Sequence, residues 1–174
     1  MDAASSARKL RLMAFDVDGV MTDGSIYYTD EGTELKAFNA LDGAGLKMLE
    51  KAGITVAIIT GRKAPCVELR ARNLGISRLF QGVHDKVACL NGILAELALA
   101  PEQAGYMGDD VMDIGAMALC GFSAAPANGH DAALQRAALV TKKVGGHGAV
   151  REVCDFILAA QGRLDDVVAP WLPQ

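Results

Sequence analysis

The amino-acid sequence predicts an α/β fold in which a doubly wound parallel sheet forms the centre of one domain. Short apolar runs alternate with predicted helices along the chain, and this alternation is typical of a parallel sheet. Polar residues suited to catalysis follow the apolar runs, as expected at the carboxyl edge of such a sheet. The 174 residues are 51% hydrophobic, which allows a sizeable core in a single domain spanning residues 1–174.

In the first half of the chain, each predicted element ends at a clear local signal. The residues around Asp30-Glu31-Gly32 alternate as in a hairpin with a glycine turn, and they predict a β-hairpin flap. Gly53 and Gly75 stop two helical stretches, because glycine readily adopts the left-handed conformation that ends a helix. The predicted order is a strand at 10–15, the hairpin at 25–38, a helix at 42–52, a buried strand at 54–59 and a helix at 64–74.

In the second half, shorter apolar runs predict the remaining strands. Pro101 lies just beyond one helical stretch and marks its end. Strands are predicted at residues 79–82, 103–107, 122–125 and 139–141, and helices at 85–99, 111–119, 130–137 and 148–161. Two prolines and an isolated Trp171 within residues 162–174 predict an extended C-terminal tail.

Two carboxylates one residue apart close the first predicted strand. In an extended backbone Asp16 and Asp18 point to the same side, and Gly19 and Gly24 let the chain turn away from them. Two like charges held this close are costly unless a cation or a shared proton offsets them. The alternative is that both aspartates are solvated turn residues or helix caps.

The other strand ends also carry polar groups, namely Thr60-Gly61-Arg62, Asp85-Lys86 and Gly108-Asp109-Asp110 with Asp113. Each of these groups has a plain alternative. Thr60, Asp109 and Asp110 could cap helices, and Lys86 and Asp113 could be surface residues. Because carboxyl ends of parallel strands meet at one edge of the sheet, their joint occurrence favours phosphate and metal chemistry there.

Composition excludes several other classes of function. A formal charge of −4 and a pI near 5.3 give no basic surface for nucleic acid or anionic lipid. The four cysteines are scattered and have no C-x-x-C spacing, which indicates reduced thiols rather than disulfides or a zinc site. They are Cys66, Cys89, Cys120 and Cys154. The three histidines, His84, His130 and His147, lack the spacing of a zinc site. We expect a cytoplasmic protein, because we find neither a signal peptide nor a membrane span.

Four motifs in this order resemble those of the haloacid dehalogenase-like phosphohydrolases: D-x-D-G at 16–19, T-G at 60–61, Lys86, and G-D-D-x-x-D at 108–113. Residues 15–24, 36–39, 57–62 and 148–154 are similar to the 3-deoxy-D-manno-octulosonate 8-phosphate phosphatases within that superfamily. The resemblance implies a Rossmann-like core without a cap domain and a Mg²⁺-dependent sugar phosphatase. It further implies a homotetramer that makes a sugar acid for lipopolysaccharide.

The resemblance also implies a role for each residue at the strand ends. Asp16 would attack phosphorus to form an aspartyl-phosphate, and Asp18 would protonate the leaving alkoxide and then activate water. Thr60 would hydrogen-bond a phosphoryl oxygen, and Lys86 would offset its charge. Mg²⁺ would be held by Asp16, the Asp18 backbone carbonyl and Asp109. Asp110 and Asp113 would orient Lys86 or metal-bound water.

A sugar-acid phosphate carries a carboxylate in addition to its phosphate, and Arg62 and Arg70 are candidate partners for that carboxylate. By resemblance the substrate site comprises Asp18, Asn39, Ala40, Leu41, Asp42, Gly43, Lys47, Gly61, Arg62, Arg70 and Lys86. For Lys47 and Arg70 the alternative is a solvated helix face. Leu41 and His147 stand where these phosphatases usually have Arg. Arg62 favours the octulosonate over a nonulosonate 9-phosphate, whose phosphatases tend to carry Glu there.

With no cap domain, water must be excluded from the site in another way. We expect the hairpin, with its apolar Ile26, Tyr28, Leu35 and Phe38, to pack on another subunit so that neighbours share active sites. The tail at 162–174 either reaches a neighbour's site or is disordered. Two other classes of protein remain as alternatives. A receiver-like phospho-switch has its acidic pair and phosphorylated aspartate in a different order, and a non-catalytic subunit would not need every catalytic position filled.

Overall fold

The computed structural model describes residues 2–172 and contains a six-stranded parallel sheet. The strands are β1 (Leu12–Phe15), β2 (Tyr27–Tyr28), β3 (Glu34–Leu35), β4 (Thr55–Thr60), β5 (Arg78–Gln81), β6 (Ala104–Met107), β7 (Phe122–Ala125) and β8 (Leu139–Val140). The sheet order is β5-β4-β1-β6-β7-β8, and β2 and β3 pair separately as an antiparallel hairpin. The predicted doubly wound parallel sheet is confirmed.

Helices cover both faces of this sheet. They are α1 (Ala3–Ala7), α2 (Ala40–Lys51), α3 (Pro65–Leu74), α4 (Lys86–Leu97), α5 (Ile114–Leu119), α6 (Asp131–Leu134), α7 (Ala149–Ala160) and α8 (Leu164–Val168). Local chemistry sets several of their ends. The side chain of Asn39 caps the start of α2, and that of Asp85 caps the start of α4. Helix α3 ends at Gly75, whose φ of 82° is the left-handed conformation of a helix C-cap.

Strand β1 lies at the centre of the sheet between β4 and β6, and all its residues are fully buried. Because side chains alternate along a strand, Met13 and Phe15 join a core that also contains α2 and α7. Leu12 and Ala14 join a second core on the opposite face, with α4 and α5. The carboxyl end of β1 is therefore held from both sides and both faces.

The prediction of an extended tail is wrong for the part of the tail that the structure describes. Residues 164–168 form α8, and a 3₁₀ turn follows at Ala169–Trp171. Val167 is buried, and Leu164 and Val168 pack against the first core, so tertiary contacts order a segment that has few local helix signals. Pro173 and Gln174 of the predicted tail lie outside the described residues.

Smaller differences concern the lengths of elements. The helix predicted at 111–119 begins with a 3₁₀ turn, Val111–Asp113, before α5. The helix predicted at 130–137 is reduced to α6, and the hairpin strands are only two residues long. Between Asp18 and Thr60 lie the hairpin, α2 and β4, so the described residues contain no cap domain. No helix within residues 2–172 combines the length and apolar character that crossing a bilayer requires.

Candidate active site

Four predicted strand-end groups come together where the chain order of the sheet reverses. From β1 the chain continues to β4 on one side, and β6 later joins on the other, which leaves a crevice at their carboxyl ends. Asp16 follows β1, Thr60 ends β4, Asp109 follows β6, and Lys86 begins α4. A cavity of about 470 Å³ is lined by Asp16, Asp18, Gly24, Thr60, Gly61, Arg62, Val83, His84, Lys86, Asp109, Asp110 and Met112.

A buried charge network fixes Lys86 beside Asp16. The Lys86 ammonium lies 2.9 Å from Asp16 Oδ2 and donates to Asp113 Oδ1 at 2.6 Å. Burial acts to lower the pKa of Lys86, but Asp16 and Asp113 outweigh it and raise that pKa. Lys86 is therefore a cation aimed at the position where a phosphoryl group would meet Asp16. The other Asp16 oxygen accepts a hydrogen bond from the backbone N–H of Val17 at 2.7 Å.

Asp113 orients the residues around it. Its Oδ1 accepts from Lys86 and from the Tyr106 hydroxyl at 2.9 Å, and its Oδ2 accepts from the backbone N–H groups of Asp109 and Asp110 at 3.1 and 3.2 Å. Donors thus occupy both oxygens, which suits a positioning role better than metal ligation. Sequence reasoning missed Tyr106, since it lies inside an apolar run and has the appearance of a core residue.

A cluster of three carboxylates fits a hard divalent cation. One oxygen each of Asp16, Asp109 and Asp113 lies within 4.8 Å of the others. Burial and then the Asp113 charge raise the pKa of Asp16 to about 6, while burial and then Asp16 raise that of Asp109 to about 7. The raised pKa values show that two negative charges this close are unfavourable, and a cation such as Mg²⁺ would stabilise both carboxylates in their ionised form. Within residues 2–172, Asp113 accepts two hydrogen bonds at each oxygen, whereas Asp16 has one donor at each. Asp16 and Asp109 are therefore the side chains with lone pairs left to hold the cation.

Asp18 points to the hairpin of its own chain. Its Oδ1 accepts a hydrogen bond from the ammonium of Lys36, which also lies 2.7 Å from a Glu34 carboxylate oxygen. Glu34 in turn accepts from Arg62 Nη2 at 2.6 Å, and the same nitrogen lies 3.0 Å from the Tyr28 hydroxyl. The hydrogen bonds from Arg62 and then Lys36 hold the pKa of Glu34 below its ordinary value.

Sequence reasoning assigned no site role to Lys36 or Glu34. A usable signal was present, because Glu34 and Lys36 are two residues apart in an extended segment and therefore share one face. His84 also lines the cavity, although the sequence argument considered it only as a metal ligand.

Several predicted substrate residues do not line the cavity of their own chain: Asn39, Ala40, Leu41, Asp42, Gly43, Lys47 and Arg70. Arg70 donates to the Asn39 backbone oxygen at 2.9 Å and stacks 5.7 Å from the Phe38 ring centroid. Asp42 is buried and accepts from the backbone N–H groups of Gly148 and Arg151 at 3.2 and 2.8 Å, so it caps α7. Lys47 lies in a separate groove beside Trp171.

The hairpin's apolar residues divide into two groups. Ile26, Tyr28 and Leu35 are 46%, 61% and 51% exposed, as expected for a flap that is poorly buried in a single chain. Phe38, which was expected with them, is partly buried against the first core instead.

Comparison with known proteins gives a consistent set of relatives. The chain is 48% identical to the 3-deoxy-D-manno-octulosonate 8-phosphate phosphatase of Escherichia coli K12 over 165 residues, which are 95% of this chain and 88% of that protein. The phosphatase of the same name from Yersinia pestis shares 50% sequence identity with the chain. Its crystal structure superposes on this one with a TM-score of 0.93 and covers 94% of this chain and 89% of that one.

A third relative carries ligands. The phosphatase of this name from Moraxella catarrhalis, solved in complex with a magnesium ion, a phosphate ion and KDO, is 42% identical with a TM-score of 0.96 over 98% of both chains. No protein-family model matches the chain.

Proposed function

Because the chain belongs to the family of 3-deoxy-D-manno-octulosonate 8-phosphate phosphatases, we propose that it hydrolyses this eight-carbon sugar-acid phosphate to the free sugar acid and phosphate. It is thus a phosphoric monoester hydrolase of the haloacid dehalogenase-like superfamily, and its product serves lipopolysaccharide synthesis. The observation that carries this proposal is the single cavity in which Asp16, Asp18, Thr60, Lys86 and Asp109 meet. A receiver-like switch does not need an acid/base two residues after its phosphorylated aspartate.

We assign one residue of the cavity to each chemical task of the proposed reaction. A carboxylate oxygen of Asp16 attacks phosphorus, the ester P–O bond breaks, and Asp18 gives a proton to the leaving alkoxide. Asp18 then takes a proton from the attacking water, which releases phosphate and restores Asp16. Lys86, held by Asp113, and the buried Thr60 offset phosphoryl charge throughout. When bound by Asp16, Asp109 and the Asp18 carbonyl, Mg²⁺ supplies the positive charge that lets two anions approach.

The predicted substrate residues that lie outside the cavity support a proposal for the assembly. We propose a homotetramer in the cytoplasm, in which Asn39, Leu41 and Lys47 of one subunit complete the sugar-acid site of a neighbour. Leu41 and Lys47 are exposed on α2, and the exposed apolar residues of the hairpin offer a surface for subunit contact. The unpaired cysteines agree with a reducing compartment.

Phosphate release from the purified protein tests the function. With Mg²⁺ we expect the octulosonate 8-phosphate to give the highest kcat/KM in a panel that includes a nonulosonate 9-phosphate and glucose 6-phosphate. Asp16→Asn and Asp18→Asn should lower turnover by roughly 10²–10⁴-fold, while Asp30→Asn at the hairpin turn should leave it unchanged. A higher kcat/KM for the nonulosonate would move the assignment to that substrate. Retention of phosphate on Asp16 without turnover would show a switch module instead.

A further inference from the structure

Two residues that line the cavity, Asp18 and Arg62, are hydrogen-bonded through one polar atom and have a second buried polar atom without a hydrogen bond in the described part of the chain. Asp18 Oδ1 is bound by Lys36, but Asp18 Oδ2 is buried and makes no hydrogen bond within residues 2–172. Arg62 Nη2 is bound by Glu34 and Tyr28, but Arg62 Nε is also buried without a hydrogen bond in the same range. These two atoms lie 4.0 Å apart, a distance at the outer limit of an ion pair and too long for a hydrogen bond.

Lys36 anchors Asp18 and Glu34 anchors Arg62, and both of these anchor residues lie in the hairpin of the same chain. The Lys36 side chain is 0% exposed and the Glu34 side chain 13%, so neighbouring residues cover most of both side chains. Their pairing with each other at 2.7 Å joins the two anchors into one unit. A buried charge is stable only when it is paired and hydrogen-bonded, and this pairing therefore restricts Asp18 and Arg62 to few orientations.

We infer that Lys36 and Glu34 are positioning residues, through which the hairpin holds Asp18 Oδ2 and Arg62 Nε toward the oxygen that leaves phosphorus. The inference rests on the proposed function, since it assigns the free oxygen of Asp18 to proton transfer. As the ester P–O bond breaks, the proton moves from Asp18 Oδ2 to the alkoxide oxygen, and Arg62 Nε–H donates a hydrogen bond on the same side. Lys36 and Glu34 contact neither phosphorus nor the transferred proton.

Substrates with different leaving groups separate positioning from general stability. An alkyl phosphate needs a proton on its leaving oxygen, whereas p-nitrophenyl phosphate releases a stabilised phenolate without one. The constant kcat/KM reports the steps up to cleavage of the ester bond, so the later hydrolysis of the aspartyl-phosphate does not obscure the comparison.

For Lys36→Met we expect kcat/KM for the sugar-acid phosphate to fall by roughly 10–100-fold and that for p-nitrophenyl phosphate by less than about 3-fold. Lys36→Arg keeps a cation and should recover most of the loss. The matched control is Lys142→Met, because Lys142 is exposed and lies outside the cavity lining. Equal losses on both substrates, or no loss on the sugar phosphate, would overturn the inference.

A second variant keeps the test open if Lys36→Met does not fold, as judged by circular dichroism. Glu34→Gln preserves the size of the side chain and should lower kcat/KM for the sugar-acid phosphate by about 3–10-fold, with Glu31→Gln in the exposed turn as its control. No difference between these two variants would also contradict the inference. Wild-type turnover tests the proposed function separately, since the comparison can be repeated on any alkyl phosphate that the enzyme prefers.

Discussion

The position of Asp109 depends on the absence of a side chain at Gly19. A Cβ at Gly19 would lie 2.0 Å from Asp109 Oδ2, far inside contact distance, and Gly19 has a φ of 86°. The glycine that turns the chain away from the acidic pair therefore also makes room for the third carboxylate. This close approach could not be read from the sequence, because the two residues are far apart in the chain.

We expect Gly19→Ala to lower kcat by more than about 100-fold and to weaken Mg²⁺ binding, since Asp109 must move to avoid the new methyl group. Gly32→Ala is the matched control, because Gly32 has a similar φ of 80° but no atom within 4 Å of the added Cβ. Both changes carry backbone strain of about 1–2 kcal/mol. Steady-state kinetics and Mg²⁺ titration measure the difference, and equal behaviour of the two variants would show that strain alone matters.

The carboxylate cluster should make stability depend on pH and on the cation. The pKa of Asp109, ordinarily 3.8, is raised to about 7 by burial and then by neighbouring carboxylates. A raised pKa in the folded state favours the protonated carboxyl. The stabilisation from Asp109 is therefore fully present below about pH 4 and is lost as the pH rises through about 7.

With EDTA present, the wild type should lose stability as the pH rises from about 5 to about 8, whereas Asp109→Asn should not. Across this range, the unfolding free energy of the variant should therefore rise by roughly 2–4 kcal/mol relative to that of wild type. Added Mg²⁺ should stabilise the wild type more than the variant at the higher pH. Chemical denaturation at each pH measures both effects, with Asp30→Asn as the exposed control. Parallel pH curves for wild type and Asp109→Asn would contradict the prediction.

At the scale of the elements, Asp42 connects α2 to the start of α7. Its two backbone hydrogen bonds satisfy N–H groups at the first turn of α7, where Gly148 provides no side-chain cap. The resemblance assigned Asp42 to substrate binding, whereas its burial and its partners indicate a structural role.

We expect Asp42→Ala to lower the free energy of unfolding by about 1–3 kcal/mol, because buried N–H groups of α7 lose their acceptor. Asp131→Ala at the first position of the short α6 should cost less, since that residue is exposed to water. Urea denaturation gives both values. A raised KM with unchanged stability would instead support the substrate role.

The sequence predicted best those elements and site residues whose signals are local. Helices α2 and α3, which a glycine ends, begin and end within two residues of their predicted bounds. The expectation that polar residues at the carboxyl ends of the strands meet at one edge of the sheet correctly grouped Asp16, Thr60 and Lys86. Helices α1 and α8 were missed because packing against the core orders them. Tyr106 was missed because it lies in an apolar run, and Lys36 and Glu34 were missed because their partners Asp18 and Arg62 are distant in the chain.

At the scale of the whole molecule, the hairpin has two different sides. Lys36 and Glu34 bind the cavity residues Asp18 and Arg62 of their own chain. Tyr27 and Leu35, which pair with each other in the hairpin, are about half exposed. A flap that completes its own site on one side can contact a neighbour with the other. The shared site that we propose is thus compatible with positioning by the same chain.

We expect wild-type protein to sediment as a tetramer at micromolar concentration and Leu35→Asp to sediment as a smaller species, because a buried charge at a subunit contact is costly. Val140→Asp on the edge strand β8 is the matched control, since Val140 is also an exposed apolar residue at 43%. Sedimentation velocity distinguishes the species. A wild-type monomer would remove the proposal of shared sites.

The central place of β1 has a consequence for how activity returns after denaturation. Asp16 can meet Thr60 only once β4 has paired with β1, and it can meet Asp109 only once β6 has paired on the other side. Recovery of catalysis during refolding therefore requires that the two halves of the sheet have joined. Helical circular dichroism, which arises largely from local contacts, should recover first.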